Sequence, residues 1–271
     1  MARAERTAGP ETPVVASALM TTAECREAAG EAGAARDRVT RALAITEKVN
    51  GHDHQQTANL LADLASLERQ SGQYTEALRD AEEVLAIRER VVGADSPDCA
   101  AARNNLANVL RELGRHDEAR RQVDQALAIW TKAWGDESPA VAVGLGTRAA
   151  IAMAEGHPAA AEPDLRRALE IRVKKRGAGH PETVRSMEQL SGALEAQGKR
   201  EAVALLDEAV AGADAAARAR LRFLAGKARV ELGVDRAGGL GLAQAACHEL
   251  EAGGDKKALA ECQAWLARRR W

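Results

Sequence analysis

The chain repeats itself every 42 residues, and this period constrains its fold more than any other feature. The apolar segments RALAI, EVLAI, QALAI and RALEI end at Ile45, Ile87, Ile129 and Ile171. Two series of glycines keep the same spacing. They are Gly51, Gly93, Gly135 and Gly177 in one series, and Gly30, Gly72, Gly114, Gly156 and Gly198 in the other. Three independent series with one period predict tandem copies of a single structural unit, each packed on its neighbours.

Each unit divides into two segments with the periodicity of a helix. Apolar residues recur at helical spacing between Gly93 and Gly114, and again between Gly114 and Gly135. A glycine at each break permits the left-handed backbone that ends a helix. Aromatic residues make up only 2% of the chain, so that alanine and leucine supply most of its apolar mass, as in close-packed helices. The sequence therefore predicts an all-α fold.

The segment GHDHQQT, residues 51–57, places two histidines around an aspartate and could suggest a metal site. The period favours another interpretation. His54 shares its position in the repeat with Ser96, Ser138 and His180, and a proline follows in three of the four units. A capping residue followed by proline is typical of a helix start. Because a zinc site needs three or four ligands, we predict that His52 and His54 are turn residues, and we expect neither a metal nor a cofactor.

Residues 101–129 carry a known repeat signature. It consists of Ala101, Asn104, Asn105, Leu106, Ala107, Leu110, Gly114, Glu118, Ala119, Ala126 and Ile129. This pattern resembles the tetratricopeptide repeat (TPR), and the 42-residue period resembles the kinesin-light-chain type rather than the usual 34 residues. The resemblance covers roughly residues 15–252. It implies a right-handed superhelical TPR solenoid of antiparallel helix pairs that ends in a C-terminal capping helix.

The resemblance also implies a domain organisation. We expect a disordered segment over residues 1–13, a TPR array over 14–254 and a capping helix over 255–271 that contains Trp265 and Trp271. The C-terminal part resembles the TPR tails of bacterial Ser/Thr kinases, although the Gly-rich loop, HRD and DFG motifs of a kinase are absent. The expected repeats span about 16–50, 57–92, 99–134, 141–176, 183–213 and 217–252.

Charge and composition exclude several classes of partner. The formal net charge is -2, whereas a nucleic-acid-binding protein usually shows a strong basic stripe. No apolar run approaches the roughly 18 to 20 residues of a membrane span, and the N-terminus does not have the pattern of a signal peptide. We therefore expect a cytoplasmic protein that binds neither nucleic acid nor membranes. The four cysteines form no CxxC pair and are expected to be reduced.

The resemblance places certain positions of the first helix of each repeat in the groove that binds ligands in this family. Asparagine amides both donate and accept hydrogen bonds and can pair with an extended peptide, and arginines would favour an acidic ligand. The alternative is that these residues keep the surface hydrated or bond to adjacent helices. The family's carboxylate clamp of lysine and asparagine is absent, since Asp63 occupies one asparagine position. The predicted groove residues are Asn59, Asp63, Ser66, Arg69, Asn104, Asn105, Asn108, Arg111, Arg185 and Gln189.

Trp130 and Trp134 form a possible second contact face. They lie four residues apart and therefore on one side of a helix. Trp130 occupies a position that holds Thr46, Arg88 and Arg172 in other repeats, which are polar residues. An aromatic residue at a solvated position can anchor a partner. The alternative is that both tryptophans pack on a neighbouring helix.

No arrangement of side chains in the sequence places a base beside a nucleophile. We therefore expect a non-catalytic protein, and the resemblance implies a protein- or peptide-binding adaptor or regulatory scaffold of a bacterial cytoplasm. One alternative is a detached regulatory TPR tail of a signalling enzyme, such as a Ser/Thr kinase. Another is a peptide-sensing regulator. Neither the partner nor the oligomeric state follows from the sequence.

Overall fold

The computed structural model describes residues 11–28 and 31–269, and within these ranges the chain forms helices and no strands. Within residues 11–136, and again within residues 137–269, connections of a few residues join consecutive helices, which pack on one another as antiparallel pairs. No helix in the described part of the chain is both long and apolar enough to span a membrane. The helices are α1 (Pro13–Ala28), α2 (Ala32–Asn50), α3 (Gln55–Gln70), α4 (Tyr74–Val92), α5 (Pro97–Glu112), α6 (His116–Trp134), α7 (Pro139–Ala154), α8 (Pro158–Arg176), α9 (Pro181–Ala196), α10 (Glu201–Gly212), α11 (Ala215–Glu231), α12 (Arg236–Gly253) and α13 (Lys256–Ala267).

The first helices of the central repeats begin with the same cap. His54 Nδ1 accepts a hydrogen bond from the main-chain N–H of Gln56 at 3.1 Å, and the side chains of Ser96, Ser138 and His180 accept equivalent bonds. Such bonds satisfy N–H groups that lack a partner inside the helix. The prediction that His54 is a turn residue is confirmed. Among the described residues, no group of three His, Cys, Asp or Glu side chains is arranged to hold a metal.

The two glycine series mark helix ends. Gly93 follows α4 with a φ of 87°, and Gly114 follows α5 with a φ of 74°. This left-handed region strains residues that carry a Cβ atom. The glycines recur with the period of the sequence because the same turn, with a positive φ, recurs from repeat to repeat. Gly30 lies outside the described residues.

The chain consists of two compact units, Met1–Asp136 and Glu137–Trp271. The first unit contains α1 to α6. Its core includes one cluster in which Ala58 and Leu61 of α3 pack with Val84 and Ile87 of α4 and with Ala102 of α5. The alanines leave room for neighbouring helix backbones, which explains how a chain with so few aromatic residues fills its interior.

The second unit contains α7 to α13. Leu165 of α8 and Leu190 of α9 belong to one core cluster of this unit. At its C-terminal end, Trp265 of α13 packs edge-on against Phe223 of α11, with ring centroids 5.9 Å apart. The indole N–H of Trp265 also donates a hydrogen bond to Glu231 at 2.7 Å. Trp271 and the first ten residues of the segment predicted to be disordered lie outside the described residues.

The cysteines require a correction. Cys247 of α12 and Cys262 of α13 form a disulfide, so the expectation that all four cysteines are reduced is wrong for this pair. The turn between two antiparallel helices brings together side chains that lie 15 residues apart in sequence. Cys25 and Cys99 are free thiols, the first exposed and the second buried.

Candidate functional site

The exposed sides of α3 and α5 lie next to each other and carry most of the predicted groove residues. Asn59, Asp63 and Ser66 of α3 are exposed, as is Asn105 of α5, and Arg69 is partly exposed. The α3 residues follow one another at intervals of three or four and therefore share one side of the helix. We refer to this surface, defined by these five residues, as the α3–α5 face.

A small cavity of about 80 Å³ opens between α3 and α5. Four predicted residues line it: Ser66, Arg69, Asn105 and Asn108. Its remaining walls are apolar, and the second helix of the pair, α4, supplies part of them. They are formed by Ala62, Ala65, Ala81, Val84, Ala102 and Val109. The structure therefore combines polar groups from two successive repeats around one apolar depression.

Some polar side chains of this cavity form hydrogen bonds within the protein, and others do not. Asn108 donates a hydrogen bond to the main-chain oxygen of Asn104 at 3.0 Å, and Ser66 Oγ accepts a bond from Gln70 at 3.4 Å. In the described part of the chain, the side chains of Arg69 and Asn105 form no hydrogen bond or ion pair. A guanidinium and an amide that converge on one cavity can receive a carboxylate through charge-assisted hydrogen bonds.

Two predicted members of the groove are placed differently. Asn104 is only 5% exposed, so its prediction as a ligand-facing residue is wrong. Successive helical residues differ in direction by about 100°, and the helix therefore turns Asn105 outward while Asn104 faces the interior. Arg111 is partly exposed, but its guanidinium pairs with the carboxylate of Glu112.

A larger cavity of about 340 Å³ lies on the other flank of α3, against α1 and α2. Asn59 and Asp63 line it together with apolar residues that include Met20, Ile45 and Leu60. The surrounding protein raises the pKa of Asp63 above its ordinary value, chiefly by reducing the hydration of the carboxylate. Asp63 thus lies at the mouth of an apolar cavity rather than on an open surface.

The remaining predicted groove residues belong to the second unit. Arg185 and Gln189 are both exposed on α9. Arg185 lines a cavity of about 250 Å³ beside Glu188 and Arg220, whose side chains form an ion pair at 2.6 Å. Gln189 does not line this cavity.

The tryptophan pair does not form a common contact face. Trp134 is 55% exposed, whereas Trp130 is 4% exposed and donates a hydrogen bond to the main-chain oxygen of Pro97 at 3.3 Å. The proposed role of Trp130 as a surface anchor is therefore wrong. The polar residues at its position in other repeats also reach back to the chain, since Arg88 donates to the main-chain oxygen of Asp98. The polar residues found at this repeat position therefore did not show that the position is exposed to solvent.

Sequence reasoning missed a buried acid, Glu68, which immediately precedes Arg69 in the chain. Glu68 is 4% exposed and faces α4, where the carboxylate of Asp80 is also buried. Burial, followed by the charge of Asp80, raises the pKa of Glu68 to about 7. The repeat could have indicated that Glu68 is buried, because Leu110 and Leu194 occupy the same position in other units.

The family assignment follows from comparison with known proteins. The tetratricopeptide repeat family model matches residues 14–90, 56–132, 98–172 and 140–215. These overlapping matches cover most of the chain, and the protein belongs to the tetratricopeptide repeat family. No curated protein matches the chain by sequence.

Solved structures show the same fold. Kinesin light chain TPR-like repeats from Podosopora anserina are 25% identical, with a TM-score of 0.59 over 74% of this chain and 96% of that one. A Rap protein complexed with Competence and Sporulation Factor has a TM-score of 0.69 at 15% identity, over 94% of this chain and 74% of that one. BtubC from P. vanneervenii has a TM-score of 0.59 at 19% identity, over 98% of this chain and 94% of that one. The chain is thus an all-α TPR protein similar to those with kinesin-light-chain-type repeats.

Proposed function

We propose that the protein is a non-catalytic adaptor or regulatory scaffold that binds an extended segment of a partner protein or peptide on the α3–α5 face. The observation that carries this proposal is the cavity lined by Arg69 and Asn105, two polar side chains with no partner among the described residues. Arg69 belongs to α3 and Asn105 to α5, and both helices are packed in the fold. The site is therefore organised before a ligand binds.

The size of the cavity favours a segment of a macromolecule over a small molecule. Small-molecule sites usually enclose roughly 300 to 1,000 Å³, whereas this cavity has about 80 Å³. That volume suits one short side chain of a ligand whose remaining atoms lie along the surface. An aspartate or glutamate side chain would bring a carboxylate to the guanidinium of Arg69 and the amide of Asn105.

A peptide-sensing regulator is a second candidate. The Rap protein, which shares the fold along 94% of this chain, was solved as a complex with Competence and Sporulation Factor. A detached regulatory segment of a signalling enzyme, such as a Ser/Thr kinase, would use the same face. A bacterial cytoplasmic setting stays a prediction. The Cys247–Cys262 disulfide argues against a cytoplasmic setting, because stable disulfides are typical of oxidising compartments.

The proposal is tested by affinity capture from the native lysate. Wild-type protein is compared with an Arg69→Glu/Asn105→Ala variant and with Arg121→Glu, a charge reversal at an exposed site on α6. We expect one protein to be enriched by the wild type and by the α6 variant, and to be depleted at least tenfold with the double variant. Circular dichroism establishes that all three have equal helicity. A partner that all three retain equally would show that the α3–α5 face does not bind it.

The neighbouring asparagines provide a matched comparison once the partner is known. Asn105→Ala removes an exposed amide and should weaken binding by about 1 kcal/mol, or about fivefold. Asn104→Ala removes a buried amide and should leave the affinity unchanged. Isothermal titration with the captured partner measures both. Equal losses of affinity in the two variants would contradict the assignment of Asn105 to the binding surface.

A further inference from the structure

The two cavities that flank α3 differ in charge. Arg69 lines the smaller cavity and Asp63 the larger one. The two residues lie six positions apart on one helix, a rise of roughly 9 Å, and the cavities open on opposite flanks of that helix. From the rise and radius of an α-helix, the Cα atoms of the two residues are roughly 10 Å apart. An extended chain covers this distance in about three or four residues.

The larger cavity has the chemistry of a site for a long basic side chain. Ile45 and Leu60 are buried in its walls, and Met20 is partly buried. Asp63 lines the cavity beside these apolar residues, and the residue as a whole is exposed. Lysine and arginine bury their methylene stems against apolar surface while the charged head stays at a polar rim. A cavity of about 340 Å³ has room for such a stem, whereas the Arg69 cavity has not.

The electrostatic surroundings of Asp63 also favour a cation. After burial, the nearby carboxylates of Glu27 and Glu24 on α1 contribute to its raised pKa, and Arg88 opposes them. Arg88 is itself engaged, since it donates hydrogen bonds to Asn59 and to the main-chain oxygen of Asp98. Glu27 accepts a bond from an uncharged side chain, that of Gln70. An incoming ammonium or guanidinium group would therefore relieve repulsion among three carboxylates.

We propose that the two cavities act as paired side-chain subsites, which select a segment of a partner protein carrying a lysine or arginine and an acidic residue three or four positions apart. This inference rests on the proposed function. The basic side chain occupies the Asp63 cavity and the acidic side chain occupies the Arg69 cavity. Because the two subsites have opposite charge, they also fix the direction in which the segment crosses α3.

The test uses immobilised decapeptides of alanine and serine with one lysine and one glutamate. The array contains both orders of the two charges and every separation from one to seven residues. We expect binding to peak at a separation of three or four in one order. The peak should exceed by at least fivefold the binding of peptides with two lysines or two glutamates at the same positions. Equal binding at all separations, or in both orders, would overturn the proposal.

Charge-swap variants make the result independent of folding. Asp63→Lys should transfer the preference from the lysine–glutamate peptide to the peptide with two glutamates. Arg69→Glu should transfer it to the peptide with two lysines. Glu82→Lys, a matched reversal at an exposed site on α4, should change neither preference. A gain of binding to a new peptide cannot arise from loss of structure, and the absence of such gains would overturn the pairing of subsites.

Two further outcomes separate this inference from the proposed function. Capture of a native partner that depends on Arg69, together with an array that shows no dependence on lysine, would overturn the paired subsites and retain the proposed function. Loss of both results would overturn both. Sedimentation of the protein alone tests whether a second copy occupies the Asp63 cavity. A change of oligomeric state in Asp63→Lys would assign the cavity to self-association and overturn the proposal.

Discussion

The guanidinium of Arg90, close to the end of α4, lies 2.5 Å from the carboxylate of Asp53 in the turn before α3. The same pairing recurs with the period of the sequence and joins the end of the second helix of each pair to the turn in front of the first. The equivalent pairs are Lys48 with Glu11, Lys132 with Asp95 at 4.0 Å, and Lys174 with Glu137 at 2.6 Å. The second helices of the 42-residue repeats are thus long enough for a basic residue near their ends to form an ion pair with an acidic residue before the first helix of the same pair.

These ion pairs are exposed and should contribute little to stability individually. Arg90 and Asp53 retain about half of their exposure, and surface pairs are screened by salt. Arg90→Gln should lower the melting temperature slightly at low ionic strength, and the difference should disappear at about 1 M salt, where the Debye length is about 3 Å. Thermal denaturation followed by circular dichroism measures both. The exchange Asp53→Arg/Arg90→Asp should recover the loss, and a double variant no more stable than Arg90→Gln would contradict the pairing.

Glu68 should make stability fall as the pH rises through the acidic range. Burial and the charge of Asp80 oppose ionisation and raise the pKa of Glu68 from its ordinary value of 4.5 to about 7 in the folded protein. The folded state therefore holds a proton that the unfolded state has released, and the free energy of unfolding should fall between pH 4.5 and about 7 and level off above. Arg36 and Arg79 reduce the shift, and Glu76 adds to it.

Replacement of this acid should remove its share of the pH dependence. We expect the free energy of unfolding of Glu68→Gln, relative to wild type, to rise by up to about 3 kcal/mol between pH 4.5 and 7. Urea denaturation at a series of pH values measures the difference. Glu82→Gln, at an exposed position on α4, should parallel the wild type. A constant difference between Glu68→Gln and wild type across this range would show that Glu68 does not retain its proton.

The crossing of α11 and α12 depends on two glycines. A Cβ atom at Gly226 would lie 2.6 Å from the main-chain oxygen of Gly239 and 2.8 Å from the nitrogen of Ala243. Both contacts involve backbone that cannot move without separating the helices. Gly226→Ala should therefore destabilise the protein by about 1 to 3 kcal/mol.

Gly241 of α12 provides the control for this prediction. A Cβ atom there would meet no other atom within 4 Å. Because alanine is the better helix former, Gly241→Ala should stabilise the protein by roughly 0.5 to 1 kcal/mol. Chemical denaturation compares the two substitutions, and stabilisation by both would mean that the helices do not cross closely at Gly226.

The disulfide should stabilise the C-terminal helix. Cross-linking residues 15 positions apart is worth about 3 kcal/mol in the chain-entropy model. Reduction, or Cys247→Ala/Cys262→Ala, should speed amide hydrogen exchange in α13 while exchange in α3 to α5 stays unchanged. Cys25→Ser leaves the disulfide intact and should match the wild type. Equal protection of α13 with and without the bond would contradict this role.

The sequence predicted the helix pairs and their caps because these depend on local properties. The position shared by His54 and Ser96 is a cap in both units, since a side-chain acceptor before a first turn performs the same task in each. The exposure of individual side chains was less predictable. Asn104 and Asn105 are chemically identical neighbours, and only the packing of α5 decides that one is buried and the other faces solvent.

The sequence by itself determined the period, the all-α class and the family, because a repeated turn glycine and a repeated apolar stripe are written in residue order. Only the tertiary structure decided which side chains meet. It joined Cys247 to Cys262, buried Trp130, placed Glu68 beside Asp80, and set Asp63 and Arg69 at the mouths of two different cavities. Such contacts arise between helices whose relative rotation and spacing are fixed by packing, and no local pattern in the chain encodes that geometry.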